Sequence, residues 1–169
     1  MIYSLVHFPD IYTEPINQIR RKYDPQVELI QPHITVMFPV NESIVEDQLI
    51  DHLENVFRHW RPFPIRFKGL DKSPDHYLFL LVDEGKDAIV DLHAQIYTGV
   101  LGHLRKTDLP YVPHVTLGVF RDTGNEYARA LAEAKRLDLH YRCARDTLHL
   151  VKIDDERKRV VSCREFLLT

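Results

Sequence analysis

With 169 residues and 44% hydrophobic content, the chain is long enough for one well-cored domain, and 1–169 is expected to be a single unit without a linker. A net charge of −3 argues against the strongly basic surface that holds long nucleic acid by its backbone. Ten scattered prolines and only six glycines exclude long disordered tracts, and no stretch is apolar enough to span a membrane.

Ile2 to Phe8 reads as a first strand, with neither a basic leader nor a sustained apolar run at Met1, so a cytoplasmic protein with no membrane partner is expected. Thr13 to Lys22 reads as a short helix with Pro15 in its first turn, and Val27 to Phe38 as a second strand. Ser43-Ile44-Val45-Glu46 forms a capping box opening a helix from Ile44 to His59, with Val45, Leu49, Leu53, Val56 and Phe57 at helical spacing. Strands Phe63 to Leu70 and His76 to Asp83 follow. A helix from Lys86 to Arg105 then carries Ile89, Leu92, Ile96, Val100 and Leu104 on one face. A second capping box, Thr123-Gly124-Asn125-Glu126, opens a helix to Leu137, and the strands Asp138 to Cys143, Thr147 to Ile153 and Val160 to Leu167 close the chain. Strands interleaved with helices and hairpins predict an α+β protein with two antiparallel or mixed sheets flanking a central cleft and helices outside.

One pattern occurs twice: Pro32-His33-Ile34-Thr35-Val36 and Pro113-His114-Val115-Thr116-Leu117. With ten His and eight Thr in the chain, His-x-Thr is expected by chance ~0.5 times, and with a preceding Pro ~0.03 times. A strand's period of two puts His33 and Thr35 on one face and the apolar pair on the other, and does the same for His114 and Thr116. Two imidazoles and two hydroxyls brought together suit phosphoryl transfer. Near neutrality one imidazole acts as base and its protonated partner as acid, while the hydroxyls donate to non-bridging oxygens. Such a site needs no cofactor and no metal, and no His, Cys and carboxylate cluster stands at ligand spacing. A non-catalytic module that binds a nucleotide or phosphate for regulation is the competing reading.

The other histidines are read as structural: His52, His59, His93 and His103 on helix surfaces, and His76, His140 and His149 at strands. Tyr3 and His7 share a face of the first strand and are candidates for the rim of the site. Phe120, on the face of His114 and Thr116 by period two, is a candidate for stacking on a base. The basic runs at Arg20-Arg21-Lys22, Arg105-Lys106 and Arg157-Lys158-Arg159 read as solvated ends and turns. A hairpin around Asp154 to Arg157 would set Leu148 opposite Cys163, and Cys143 and Cys163 are expected to remain reduced thiols.

The paired His-x-Thr elements resemble the two motifs of the two-histidine phosphoesterase superfamily. Arg20-Arg21-Lys22-Tyr23-Asp24-Pro25 followed by Leu29-Ile30-Gln31-Pro32-His33 is similar to its bacterial 2′-5′ RNA ligase-like branch. The resemblance implies a bilobal fold with pseudo-two-fold symmetry. It also implies phosphodiesterase action on 2′,3′-cyclic phosphates or 2′-5′ linkages, with RNA ligation as the reverse direction in some members. It implies His33 as the acid toward the leaving oxygen, His114 as the base that activates water, and Thr35 and Thr116 as phosphate ligands. The partner would be a small phosphate-containing substrate, namely a cyclic nucleotide, a 2′-5′ oligonucleotide or an RNA end, bound by a monomer. Gly118-Val119-Phe120 stands where a basic residue commonly follows the second motif.

Overall fold

Alternating apolar residues along each strand build the sheet, and the places where alternation slips decide which side chains reach the site. The computed structural model describes residues 1–41, 44–121 and 124–169. Ser43 and Thr123 of the two capping boxes lie outside the described residues. In order the elements are β1 (Ile2–His7), α1 (Glu14–Tyr23), β2 (Ile34–Val40), α2 (Glu46–Phe57), β3 (Phe63–Lys72) and β4 (Tyr77–Glu84). Then come α3 (Lys86–Ile96), a 3-10 helix (Gly99–Leu104), β5 (His114–Val119), α4 (Asn125–Leu137), β6 (Tyr141–Arg145), β7 (Thr147–Ile153) and β8 (Val160–Leu167). Among the described residues no helix is long and apolar enough to cross a membrane.

The strands form one antiparallel sheet in the order β6-β3-β4-β5-β2-β1-β7-β8. Its centre is its weakest join, since β2 and β5 share the single register pair Ile34 and Val115, both fully buried. The two expected sheets are thus two four-stranded halves, related across that pair, with the motif strands at the seam. Neither half is a contiguous piece of sequence. β3 and β4 follow the first motif but lie beside β5, and β7 and β8 follow the second but lie beside β1. Helices α1 and α4 pack on the β5 half, while α3 packs on β2 and α2 reaches β8 through Phe57 on Phe166 and Arg164 to Glu54. The main core runs through both halves, and a smaller one, Ile2, Val6, Val151 and Ile153 covered by Leu29 and Ile30, sits beside β1 and β7.

Several predicted bounds are corrected. The run from Val27 does not extend into β2, because Asp24 turns the chain: its carboxylate accepts the Gln26 N–H and its carbonyl the Val27 N–H. The long third helix ends at Ile96. There Tyr97 turns inward to accept the Phe38 N–H at 3.0 Å, and Gly99 takes a positive φ of 50° before the 3-10 turn. Cys163 faces Val151 and not Leu148, and both cysteines are free. Arg20 is not solvated; it is buried, donating from Nε to Asp24 at 2.8 Å and from its guanidinium to the Ile30 carbonyl. His52 and His93 do not sit free on helix surfaces, since their rings reach the carbonyls of Ile96 and Val36 at 2.9 and 2.7 Å.

Candidate active site

The single pair at the seam fixes the geometry around it. With Ile34 opposite Val115, antiparallel register sets Thr35 beside His114 and His33 beside Thr116, all four on the face away from the buried pair. Each histidine therefore neighbours the other motif's threonine. All four side chains are half-buried, open on that face only.

The proline of each motif now has a physical role. It fixes the turn that brings the carbonyl two residues before each histidine onto the ring: Gln31 O lies 2.7 Å from His33 Nδ1, and Val112 O lies 2.6 Å from His114 Nδ1. A carbonyl only accepts, so Nδ1 carries the proton and donates in both rings. The Nε2 atoms are left for the open face, as lone pairs when the ring is neutral and as acids when it is charged.

Burial lowers the pKa of both rings. That of His114 is pushed down to about 4, mainly by desolvation under Phe79, whose ring stacks on it at 3.4 Å and 19°, with a smaller push from the nearby His33. That of His33 is lowered by desolvation and, less, by the Arg20 charge; Phe8 meets its ring edge-on at 6.2 Å. In both cases the carbonyl on Nδ1 opposes the shift.

Beyond the seam β2 and β5 part, and side chains take up the freed backbone groups of β2. Tyr111 Oη donates to the Thr35 carbonyl at 2.8 Å, His93 Nδ1 donates to that of Val36, and the Phe38 N–H finds Tyr97. Tyr111 and His93 stack at 3.8 Å and 6°. Tyr111 lies three residues before His114 and grips the backbone at Thr35, so it ties one motif to the other.

The remaining candidates do not join the pair. A register shift between Leu78 and Phe79 along β5 turns Gly118 and Phe120 to the helix side, where Phe120 is 2% exposed and packs on Tyr23 and Tyr127. Strict alternation could not foresee that bulge. His7 pairs with Ile34 and faces the core with Tyr3; His7 Nδ1 donates to the Thr147 carbonyl, and Tyr3 Oη to Glu46. Neither is at the rim. The sequence reading missed Phe79 and Tyr111. Phe79 carries a signal, because Tyr77 to Val82 is apolar on both faces, and the second face needed something to line. Among the described residues no three His, Cys, Asp or Glu side chains are grouped to hold a metal ion.

The fold is that of the two-histidine phosphoesterases, with the mirrored histidines at its seam. The chain belongs to the 2'-5' RNA ligase superfamily, whose profile it matches over residues 8–157. It is 30% identical over 156 residues to a protein named "Putative phosphoesterase" in Geobacillus thermodenitrificans, covering 89% of this chain and 87% of that one. A relative with the same kind of name in Geobacillus kaustophilus is 31% identical over 157 residues, with the same coverage. Among solved structures the fold is similar to TT0787 of Thermus thermophilus, with a TM-score of 0.65, 17% identity and coverage of 99% and 98%. It is also similar to E. coli LigT complexed with 3'-AMP, with a TM-score of 0.56, 14% identity and coverage of 99% and 97%.

Proposed function

We propose that this protein is a phosphodiesterase that opens 2′,3′-cyclic phosphates or 2′-5′ phosphodiesters by paired histidine acid–base catalysis, with no cofactor or metal. The observation that carries the reading is the mirrored Nδ1 hydrogen bonds, which leave two Nε2 atoms on one face between two threonine hydroxyls. In the forward direction His114 Nε2 takes a proton from water as the water oxygen bonds to phosphorus. The bond from phosphorus to the leaving oxygen breaks, and the proton on His33 Nε2 passes to that oxygen. The charge that builds on the non-bridging oxygens is met by Thr35 and Thr116. The two rings end with their protonation exchanged, and solvent resets them. With a 5′-hydroxyl in place of water as the nucleophile, the same two rings open a 2′,3′-cyclic phosphate to a 2′-5′ linkage, the 3′-oxygen leaving with the proton from His33 Nε2. The acid and base roles follow the resemblance of the motifs. Solved complexes of E. coli LigT with 3'-AMP and with NADP+ support a small phosphate-bearing ligand for a pocket of this kind.

The test is a panel of 2′,3′-cyclic mononucleotides and 2′-5′ dinucleotides with product identification, run with and without EDTA. Hydrolysis to a single phosphomonoester isomer that survives chelation is the expected result. Binding of the whole panel without turnover would favour a regulatory binding module, and activity lost to EDTA and regained with zinc or manganese would remove the two-histidine mechanism.

A further inference from the structure

A line of cross-strand neighbours leaves the catalytic face toward β8. Thr35 pairs with Val6, Val6 with His149, and His149 with Glu165, so all share the face of the motif residues. At the usual strand spacing His149 stands about 10 Å from Thr35, too far to touch the reacting phosphorus and near enough for a substituent on it. Phe8 fills the corner between, meeting His33 at 6.2 Å and His149 at 5.0 Å, both edge-on. The wall beneath is the small apolar core of Val6, Val151, Leu29 and Ile30. His149 Nε2 lies 3.3 Å from Glu165 Oε2, and the Glu165 side chain is 56% exposed.

An apolar wall with one directed polar group is how proteins hold a planar heterocycle. A carboxylate at that distance repels a second phosphate. It repels the carbonyl oxygens of a uracil edge as well, whereas it accepts two parallel hydrogen bonds from the N1–H and exocyclic amine of guanine. The geometry points to Phe8, His149 and Glu165 as a nucleobase subsite that prefers guanine over uracil. The inference rests on the phosphodiesterase reading for its choice of a nucleotide substrate, while its test reads binding and needs no turnover.

Calorimetric titration of the full chain with guanosine 2′-monophosphate, uridine 2′-monophosphate and inorganic phosphate decides it, with Glu165→Gln alongside and thermal melting to verify folding. Guanosine 2′-monophosphate should bind the unaltered protein about tenfold more tightly than the uridine nucleotide, and the ratio should fall near one in Glu165→Gln. A ratio near one in the unaltered protein overturns the subsite, even were the variant unable to fold. So does a ratio that survives the substitution, or nucleotide affinities no greater than that of phosphate. A guanine preference in binding beside no hydrolysis of any cyclic nucleotide or 2′-5′ dinucleotide would keep the subsite and sink the phosphodiesterase reading.

Discussion

His33 and His114 are each held by one backbone carbonyl and each desolvated, and this sets both their chemistry and its pH dependence. Replacing either by Ala should lower kcat/KM by about 10²-fold or more while leaving the melting temperature nearly unchanged, because both rings face the open side of the sheet. A rate within threefold of the unaltered protein would remove that ring from the mechanism. The proposed mechanism requires one ring charged and one neutral, so kcat/KM should follow a bell. Both pKa values are depressed, so the neutral form is favoured in each ring, and the maximum should lie on the acid side of the ordinary imidazole value of about 6.5. Bound phosphodiester adds negative charge beside the rings and raises both values, so the kcat profile should sit at higher pH than that of kcat/KM. Stopped-flow single-turnover rates across pH 4 to 9 measure both. A flat profile, or one centred well above neutrality in kcat/KM, would contradict the assigned environments.

At the level of the strand, the bulge in β5 and the parting of β2 from β5 shape the site as much as the motifs do. Gly118 is where the bulge turns the chain toward α1, and a Cβ there would stand 2.8 Å from both Tyr23 Cβ and Phe120 Cζ. Gly118→Ala should therefore push α1 off β5, at a cost of about 1–3 kcal/mol in denaturant unfolding. A change below about 0.5 kcal/mol would mean that the helix yields without resistance. Tyr111→Phe keeps the stack on His93 and removes only the hydroxyl bonded to the Thr35 carbonyl. Loss of that tie should lower kcat several-fold with little change in KM, since Thr35 shifts relative to His114 while the phosphate pocket keeps its groups. An unchanged kcat would show that the seam pair alone holds the register.

For the whole molecule, the notable expense is polar burial on the helix side of the sheet. His7 is 1% exposed with its pKa pushed down to about 4, chiefly by desolvation, and its Nε2 has no hydrogen-bond partner among the described residues. Arg145 is fully buried over the Phe63 ring, its pKa pushed down to about 10 by desolvation, with none of its guanidinium nitrogens bonded to described residues. His7 and His114 both titrate lower in the fold than the unfolded value of about 6.5. Stability is therefore full above pH 6.5 and is lost as pH falls toward 4, because over that window the unfolded chain binds protons that the folded one refuses. Each ring contributes at most roughly 3 kcal/mol to that loss. His7→Leu should make the decline between pH 6.5 and 4 shallower by about one proton, read from urea midpoints at pH 7.5 and 4.5. Parallel declines in the two proteins would mean that His7 is not held neutral.

Local pattern was enough for some of this. The repeated Pro-His-x-Thr was enough to put each histidine on the same strand face as its threonine, because period two in a strand is a local property that needs no partner, and β7, β8 and α4 lie where their patterns end. Element bounds failed where a side chain reached elsewhere, as at Asp24 and Tyr97, since such hydrogen bonds depend on the partner's position. The tertiary structure alone decided that each half-sheet mixes strands from both halves of the chain, and that Ile34 and Val115 form the seam. It also decided that Phe120 leaves the site while Phe79 enters it. Register between distant strands is chosen by burial of the whole apolar set, and one bulge inverts every side chain beyond it, so no alternation read along a single strand can contain it.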